Sequence, residues 1–313
     1  MLDLEHISQQ QYVALLQKKA IFYQTIRSYF AKNNVMEVMT PVLANHTVTD
    51  SNIHSISCEL VKSKQLQYLQ TSPEYAMKRL LALGVGSIYQ ICPAFRDDEK
   101  TAIHNHEFSM LEWYRLNFDY KMLMDDLCAL LKVLNPSLSV QRISYAEVFK
   151  KYLDINPHHV DLPLLERTLQ HYCGNIDNIH GVAGHLDALF SLVVQEKIKS
   201  IDALIIYDFP VSQASLAKIS NDDIAVAERF ELFLSGIEIG NGFTELTDAK
   251  EQLARFQQDN YTRELQGLPT IAIDQDFIDA LEQGLPSCAG IAVGLDRLFM
   301  CCYNLSNILP MLL

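Results

Sequence analysis

One stretch of the chain concentrates side chains able to do chemistry. It runs from Phe95-Arg96-Asp97-Asp98 to His104-Asn105-His106-Glu107-Phe108-Ser109-Met110-Leu111-Glu112-Trp113-Tyr114. Two apolar runs joined by a polar loop predict a hairpin, and side chains on a strand alternate between faces. Phe108, Met110, Glu112 and Tyr114 then share one face, and Ser109, Leu111 and Trp113 the other. An aromatic ring, a carboxylate and a phenol on one face could line a site for a planar ring and an amine. A half-buried strand with Glu112 at its edge would show the same alternation, so periodicity alone leaves both readings open.

The elements around this hairpin follow from pattern. Leu16, Ala20, Tyr23, Ile26 and Phe30 form a helical stripe. Val35–Leu43 is extended, and Pro41 makes it a strand edge or an interface segment. Tyr68-Leu69-Gln70 is a short strand. Thr71-Ser72-Pro73-Glu74 reads as a helix start, with Ser72 as N-cap and Pro73 at the first helical position, and the helix runs to Gly84. Ser87–Cys92 and Glu107–Leu116 are strands, the latter strictly alternating, with a loop over Asp97–His106. A helix follows over Tyr120–Leu134, then a helical insertion at about 136–200. Asp202–Tyr207 is a strand, and Phe230–Leu246 is strand-like, broken by Gly240 and Gly242. Helices over Ala249–Glu264 and Gln275–Gln283 precede a strand at Ala289–Val293 and a last helix opened by Gly294-Leu295-Asp296-Arg297. Strands and helices do not alternate regularly. The expected fold is therefore α+β, a mostly antiparallel sheet flanked by helices.

Lys and Arg number 25 against 38 Asp and Glu, a net charge of −13. Such a balance argues against a nucleic-acid groove, which needs a basic footprint. A chain this acidic that handles ATP must draw positive charge from a few arginines and a divalent metal. Apolar runs such as Ala188–Val194 are far shorter than the ~20 residues that span a bilayer. The N-terminus, with Asp3 and Glu5, shows no secretory signal, so no membrane partner and a cytoplasmic location are expected. Seven cysteines without a C-x-x-C pair read as reduced thiols, not as a disulfide framework or zinc site. Neither His104-x-His106 nor His180 with His185 makes a convincing metal pair.

Arg96 with its hairpin, the Glu231–Glu245 stretch and Gly294-Leu295-Asp296-Arg297 resemble motifs two and three of class II aminoacyl-tRNA synthetases. Val38-x-x-Pro41 resembles motif one. The lysyl branch is indicated by Thr71-Ser72-Pro73-Glu74, by His104-Asn105-x-Glu107-Phe108, and by Phe230-Glu231-x-Phe233-x-x-Gly236-x-Glu238-Ile239-Gly240-Asn241-Gly242-Phe243-x-Glu245-Leu246. The likeness covers roughly residues 10–130 and 200–300, and the motifs are specific only in combination. Lysyl-tRNA synthetases place an anticodon-binding barrel of ~100 residues or more before the catalytic core, whereas here the motif-one helix begins almost at Met1. The chain is thus most similar to the short lysyl-synthetase-like enzymes that modify elongation factor P. These activate (R)-β-lysine with ATP and join it to a lysine side chain of the factor. The resemblance implies one catalytic domain over residues 1–313 with no anticodon-binding domain, a homodimer built on motif one, and little use for tRNA.

The resemblance also implies roles. Arg96 would bind the α-phosphate and the amino-acid carboxylate, since a planar guanidinium suits both. Asp97 and Asp98 would lie at the nucleotide, Asp98 one methylene shorter than the family's glutamate. His104 and Asn105 would approach the phosphates, and Phe108 would stack on adenine. Arg297 would cradle the other adenine face and the γ-phosphate, with Gly294 allowing close approach; Arg96 and Arg297 are the catalytic pair. Glu231 and Glu238 would hold Mg²⁺, with Ile239 beside the nucleotide. Ser72, Pro73, Glu74, Glu112, Tyr114, Asn241, Glu245 and Ala292 would form the lysine pocket. In it Glu74 would take the backbone-side amine, and Glu112, Tyr114 and Glu245 the distal ammonium. Ala292 replaces a glycine of lysyl-tRNA synthetases, and its methyl would favour a β-amino acid. On an unbroken strand Glu238 and Glu245 would face opposite ways, so a bulge or turn is expected at Gly240-Asn241-Gly242.

Two other readings remain at this level. One is a truncated lysyl-tRNA synthetase acting on tRNA or making dinucleoside polyphosphates, which the missing barrel and Ala292 count against. The other is a non-catalytic binding paralogue, which the intact Arg96, Glu231, Glu238 and Arg297 count against. Two departures from the family stand out. Glu99–Ile103 lacks the expected glycine and arginine, and the tail Ser306–Leu313 is unusually apolar.

Overall fold

The apolar stripe near the N-terminus folds as a 24-residue helix, α1 (Gln9–Lys32), in the computed structural model. The structure describes residues 8–176, 179–223 and 225–309; Asp3, Glu5 and the tail from Pro310 lie outside them. Ser8 caps α1 reciprocally with Gln11. The buried side is Leu15, Phe22, Ile26, Tyr29 and Phe30, so the face is rotated from the expected stripe, and Leu16 and Ala20 are exposed. Ring packing sets that rotation. Phe22 meets Phe299 edge-on, while Phe30 stacks on Tyr89 at 4.3 Å and meets Trp113.

After α1 come β1 (Met36–Glu37), β2 (Leu43–Ala44), β3 (Ser57–Glu59), β4 (Leu66–Leu69), α2 (Glu74–Ala82), β5 (Ile88–Phe95), β6 (Glu107–Leu116) and α3 (Tyr120–Leu134). Next are β7 (Val140–Ser144), α4 (Tyr145–Leu153), α5 (Leu162–Cys173), α6 (Gly181–Leu189), a π-helical turn (Phe190–Val194) and α7 (Gln195–Ile198). The chain continues with β8 (Ala203–Pro210), β9 (Val226–Leu234), β10 (Ile237–Thr244), α8 (Ala249–Leu265), α9 (Gln275–Gly284), β11 (Cys288–Gly294) and α10 (Leu295–Cys302). No helix among the described residues is long and apolar enough to cross a membrane.

These elements sort into two compact units. The first takes in Met1–Phe118, Val133–Asn135 and Thr247–Leu313; the second takes in Asp119–Lys132 and Pro136–Leu246. In the first unit the strands run in the order β1-β5-β6-β11, parallel between β1 and β5 and antiparallel elsewhere. The short antiparallel set β2-β4-β3 accompanies them. In the second unit the order is β10-β9-β8-β7, with only β7 and β8 parallel. The α+β class and the dominance of antiparallel pairing are as expected.

Several elements differ from the sequence reading. Helix α2 starts at Glu74 with Pro73 as its N-cap, one residue late, although the Ser72 hydroxyl still accepts from the Glu74 N–H while donating to Glu112. Strand β6 has the expected ends, but Met110–Tyr114 is buried without alternation. The cause is cover on both faces: Trp113 packs on Phe30 of α1, and Glu112 lies on the opposite, equally closed face. Phe230–Leu246 is two strands, not one. The turn is Ser235-Gly236, where Gly236 takes φ 77° with its Cα hydrogen against Lys199. The segment 136–200 carries the strand β7 as well as helices. Its core stacks Tyr145, Phe149 and Phe190 against Phe209 and Phe233.

Phe30 has no solvent exposure and contacts three rings. Phe30→Ala is expected to cost about 3–5 kcal/mol of stability, measured by urea denaturation. A loss below about 1 kcal/mol would show that ring packing does not fix α1.

Candidate active site

In the first unit the β5–β6 hairpin presents Arg96 one residue beyond the end of β5. Its backbone N–H donates to His106 O at 2.9 Å. The guanidinium lies over the Phe108 ring, 5.4 Å from its centroid. Arg96 Nε is buried and has no hydrogen-bond partner among the described residues. A buried orphan donor on a cation is a place where an anion fits.

The loop after Arg96 is tied without the glycine and arginine it lacks. Asp97 N–H donates to His54 O. Thr101 and His104 pair twice, through the backbone and through Oγ1 and Nδ1 at 2.8 Å. Asn105 Nδ2 donates to Glu107 O. Arg297, in the first turn of α10, donates from Nε to Ile103 O at 3.0 Å, and Ile308, 1% exposed, donates its N–H to Ala102 O. The described part of the apolar tail thus holds the loop. A cation in the first turn of a helix is opposed by the macrodipole; Asp296 beside it offsets this and accepts from Ser109 N–H. Phe108 serves Arg96 as a platform. Asp97 is exposed, and Asp98, His104 and Asn105 are half-buried.

Glu112 sits deeper, 2% exposed in mid-strand, which excludes the edge-strand reading. Its Oε2 accepts from Ser72 Oγ and its Oε1 from Tyr114 Oη, both at 2.6 Å. Burial first, and then the charge of Glu74, push the Glu112 carboxyl up to about 7; the two hydroxyl donors and Lys78 oppose this. Ala292 pairs directly across from Glu112 on β11, so its methyl projects on the same face. Gly294 ends the strand opposite Met110 and caps α10. Glu74 is ion-paired with Lys78, Nζ to Oε1 at 2.7 Å.

The second unit holds the other carboxylates. Glu231 on β9 lies opposite Asn241 on β10, and Glu238 opposite Phe233. The register shifts between Glu238 and Gly240, so Ile239 is the extra residue of a bulge, one position before the expected glycines. Counting across it, Glu231, Glu238, Asn241 and Glu245 share one face, and the seven-residue spacing is reconciled. Glu238 is exposed, whereas Glu245, beside Ala217, is 2% exposed. Arg229 donates from Nη2 to Glu231 Oε1 at 2.6 Å and from Nε to Asn241 Oδ1 at 3.0 Å. Its guanidinium lies 4.7 Å over Phe209. Burial raises the Glu231 carboxyl to about 7, against the lowering by Arg229 and with added repulsion from Glu238 and Asp187.

Sequence reasoning did not single out Lys78 or Arg229. The signals were present: Lys78 is four residues from Glu74 on a helix, and Arg229 is two residues from Glu231 on a strand.

Comparison with known proteins places the chain in a family. Residues 2–313 match the model of the class II tRNA synthetases (D, K and N). The chain is 42% identical over 294 residues to the elongation factor P–(R)-β-lysine ligase of Mannheimia succiniciproducens, covering 93% of this chain and 91% of that one. It is 45% identical over 294 residues to the ligase of the same name from Yersinia enterocolitica, covering 92% and 90%. The corresponding Vibrio cholerae protein is 44% identical over 296 residues, covering 92% and 91%.

The folded-state pKa of Glu112 is raised above its unfolded value, so the folded protein keeps a proton that the unfolded chain releases between about pH 4.5 and 7. Stability from this group is full below that window and falls as pH rises through it. Glu112→Gln removes the effect. Between about pH 4.5 and 7.5 the stability difference should move in favour of the variant by on the order of 3 kcal/mol. Urea midpoints across the range check this, and a difference that does not change with pH would contradict the assigned burial.

Proposed function

The chain belongs to the class II tRNA synthetases of the D, K and N type, and from that premise we propose that it activates (R)-β-lysine with ATP and transfers it to a lysine side chain of elongation factor P. It is an ATP-dependent amino-acid ligase. Relatives bearing that ligase's name align with more than nine-tenths of it. The observation that carries the substrate is the buried Glu112–Tyr114 pair with the Ala292 methyl directly across the ladder.

The reaction has two steps. The substrate carboxylate attacks the α-phosphate of ATP, giving an aminoacyl-adenylate and pyrophosphate. The ε-amine of the factor's lysine then attacks the carbonyl of that mixed anhydride, forms an amide and releases AMP. Two anions must meet in the first step, and the Arg96 fork lowers their repulsion by bonding both. Its orphaned Nε and its Phe108 platform support that role. Arg297 fixes the loop that reaches the phosphates through Ile103. Asp97, Asp98, His104, Asn105 and Gly294 line the nucleotide in this reading.

Glu112 and Tyr114 receive the distal ammonium. Glu74, set by Ser72 and Pro73, receives the other amine. An ammonium arriving at Glu112 relieves the desolvation that raises its carboxyl, so the pocket favours a cation over a neutral side chain. Two carboxylates on one hairpin face, Glu231 and Glu238, are a donor set that fits Mg²⁺. A metal held by them would supply neutralisation of phosphate charge. We further read motif one as a homodimer surface: Val13, Ile21, Met36 and Met39 expose apolar side chains there. The net charge of −13 favours a protein acceptor over tRNA, and the chain is read as cytoplasmic.

The test is to incubate the protein with ATP, the factor and either lysine isomer, and to weigh the factor. One lysyl unit should be added, mainly from the β isomer; no mass gain with either isomer rejects the ligase reading. Arg96→Ala should reduce amino-acid-dependent pyrophosphate exchange by about a thousandfold. Ala292→Gly should shift preference toward α-lysine, read as the ratio of kcat/KM for the two isomers.

A further inference from the structure

Lys78 has no part in the reaction as described, yet its position is unusual. It lies on the buried side of α2 and is 1% exposed, the rarest setting for a lysine. Burying an ammonium is costly unless it is paired. Its Nζ lies 2.7 Å from Glu74 Oε1 and 5.9 Å from the centroid of Phe277 on α9. Glu74 is itself fixed at the other end, where its N–H donates to Ser72 Oγ, and that same hydroxyl donates to Glu112. One connected path therefore runs Lys78–Glu74–Ser72–Glu112–Tyr114. Along it lie two buried or half-buried carboxylates and one buried cation.

A leucine or methionine at 78 would fill the space beside Phe277 without the cost of desolvating a charge. The cation needs another reason to be there. Two carboxylates in a closed site repel each other, and the pocket's selectivity for an amine depends on both being held where the amine can reach them. We propose that Lys78 is a positioning residue for amine recognition: its ammonium holds the Glu74 carboxylate in place and balances its charge, so that Glu112 when ionised is the one uncompensated carboxylate of this group. The inference rests on the ligase reading, because that reading makes Glu74 a contact of the substrate. It adds a residue that touches no substrate and acts through Glu74.

The experiment is pyrophosphate exchange by the full chain with ATP and (R)-β-lysine, comparing wild type, K78Q, K78R, E74Q and E74Q/K78Q. K78Q should raise the KM for the amino acid by roughly tenfold or more while the KM for ATP stays within about twofold. K78R, which keeps the charge, should recover part of that loss. In the E74Q background the K78Q change should cost little, because the two residues act as a unit. An unchanged amino-acid KM in K78Q overturns the proposal, as does an equal cost with and without Glu74. If K78Q does not fold, E74Q/K78Q, which buries no unpaired charge, takes its place. It should bind the amino acid no more weakly than E74Q, and weaker binding overturns the proposal. Absence of exchange by the wild type with any amino acid would reject the ligase reading itself, a result distinct from all of these.

Discussion

Negative charge is held out of water, and the arrangement of each unit follows from that constraint. Glu112 and Asp296 in the first unit and Glu245 in the second are each about 2% exposed. A buried carboxylate survives only with fixed donors or a cation nearby. Ser72, Tyr114 and the Ser109 amide are those donors in the first unit, and each is set by a strand or by a helix start. The rigid ladder β5-β6-β11 keeps their geometry from relaxing around the charge. Such a site stays partly unsatisfied, and that residual cost is what raises the Glu112 carboxyl.

Much of this was legible from the residues. The ends of β6 and α3 follow from pattern alone, and so does the face shared by Phe108, Glu112 and Tyr114. What periodicity could not give was burial. A strand covered on both sides and a strand with one wet face show the same alternation when polar residues serve chemistry, as Glu112 does. The α1 stripe failed for a related reason: the apolar positions Leu16 and Ala20 lie at helical spacing, but ring-on-ring contacts of Phe22 and Phe30 choose the face. The break at Ser235-Gly236 was missed because the two glycines of Gly240-Asn241-Gly242 looked like the stronger punctuation. In fact these glycines lie within β10, and the true turn uses the positive φ of Gly236.

The candidate site was legible in its first layer and hidden in its second. Residues proposed to meet the substrate carry recognisable spacing. Residues that hold them do not, because Lys78 and Arg229 act at short range within one element. Arg229 shows why this second layer matters. One guanidinium joins Glu231, Asn241 and the Gln213 carbonyl, so a carboxylate and an amide proposed for different partners keep a fixed separation. The bulge at Ile239 then brings Glu238 to their face. Neither device changes the motif, but without both the same letters would not make the same surface.

The distribution of positive charge completes the picture. A chain with a net charge of −13 cannot attract polyphosphate by its overall field, so it must do so by placement. In the first unit two arginines have divided tasks. Arg96 stacks on Phe108 and keeps a buried Nε without a partner among the described residues, whereas Arg297 uses its Nε on the Ile103 carbonyl. One guanidinium keeps a buried donor over an aromatic ring, and the other uses the same atom to hold the loop at Ile103. That division also explains how the loop can do without glycine and arginine: its shape is imposed by Arg297 and by Ile308, so it need not be encoded in its own residues.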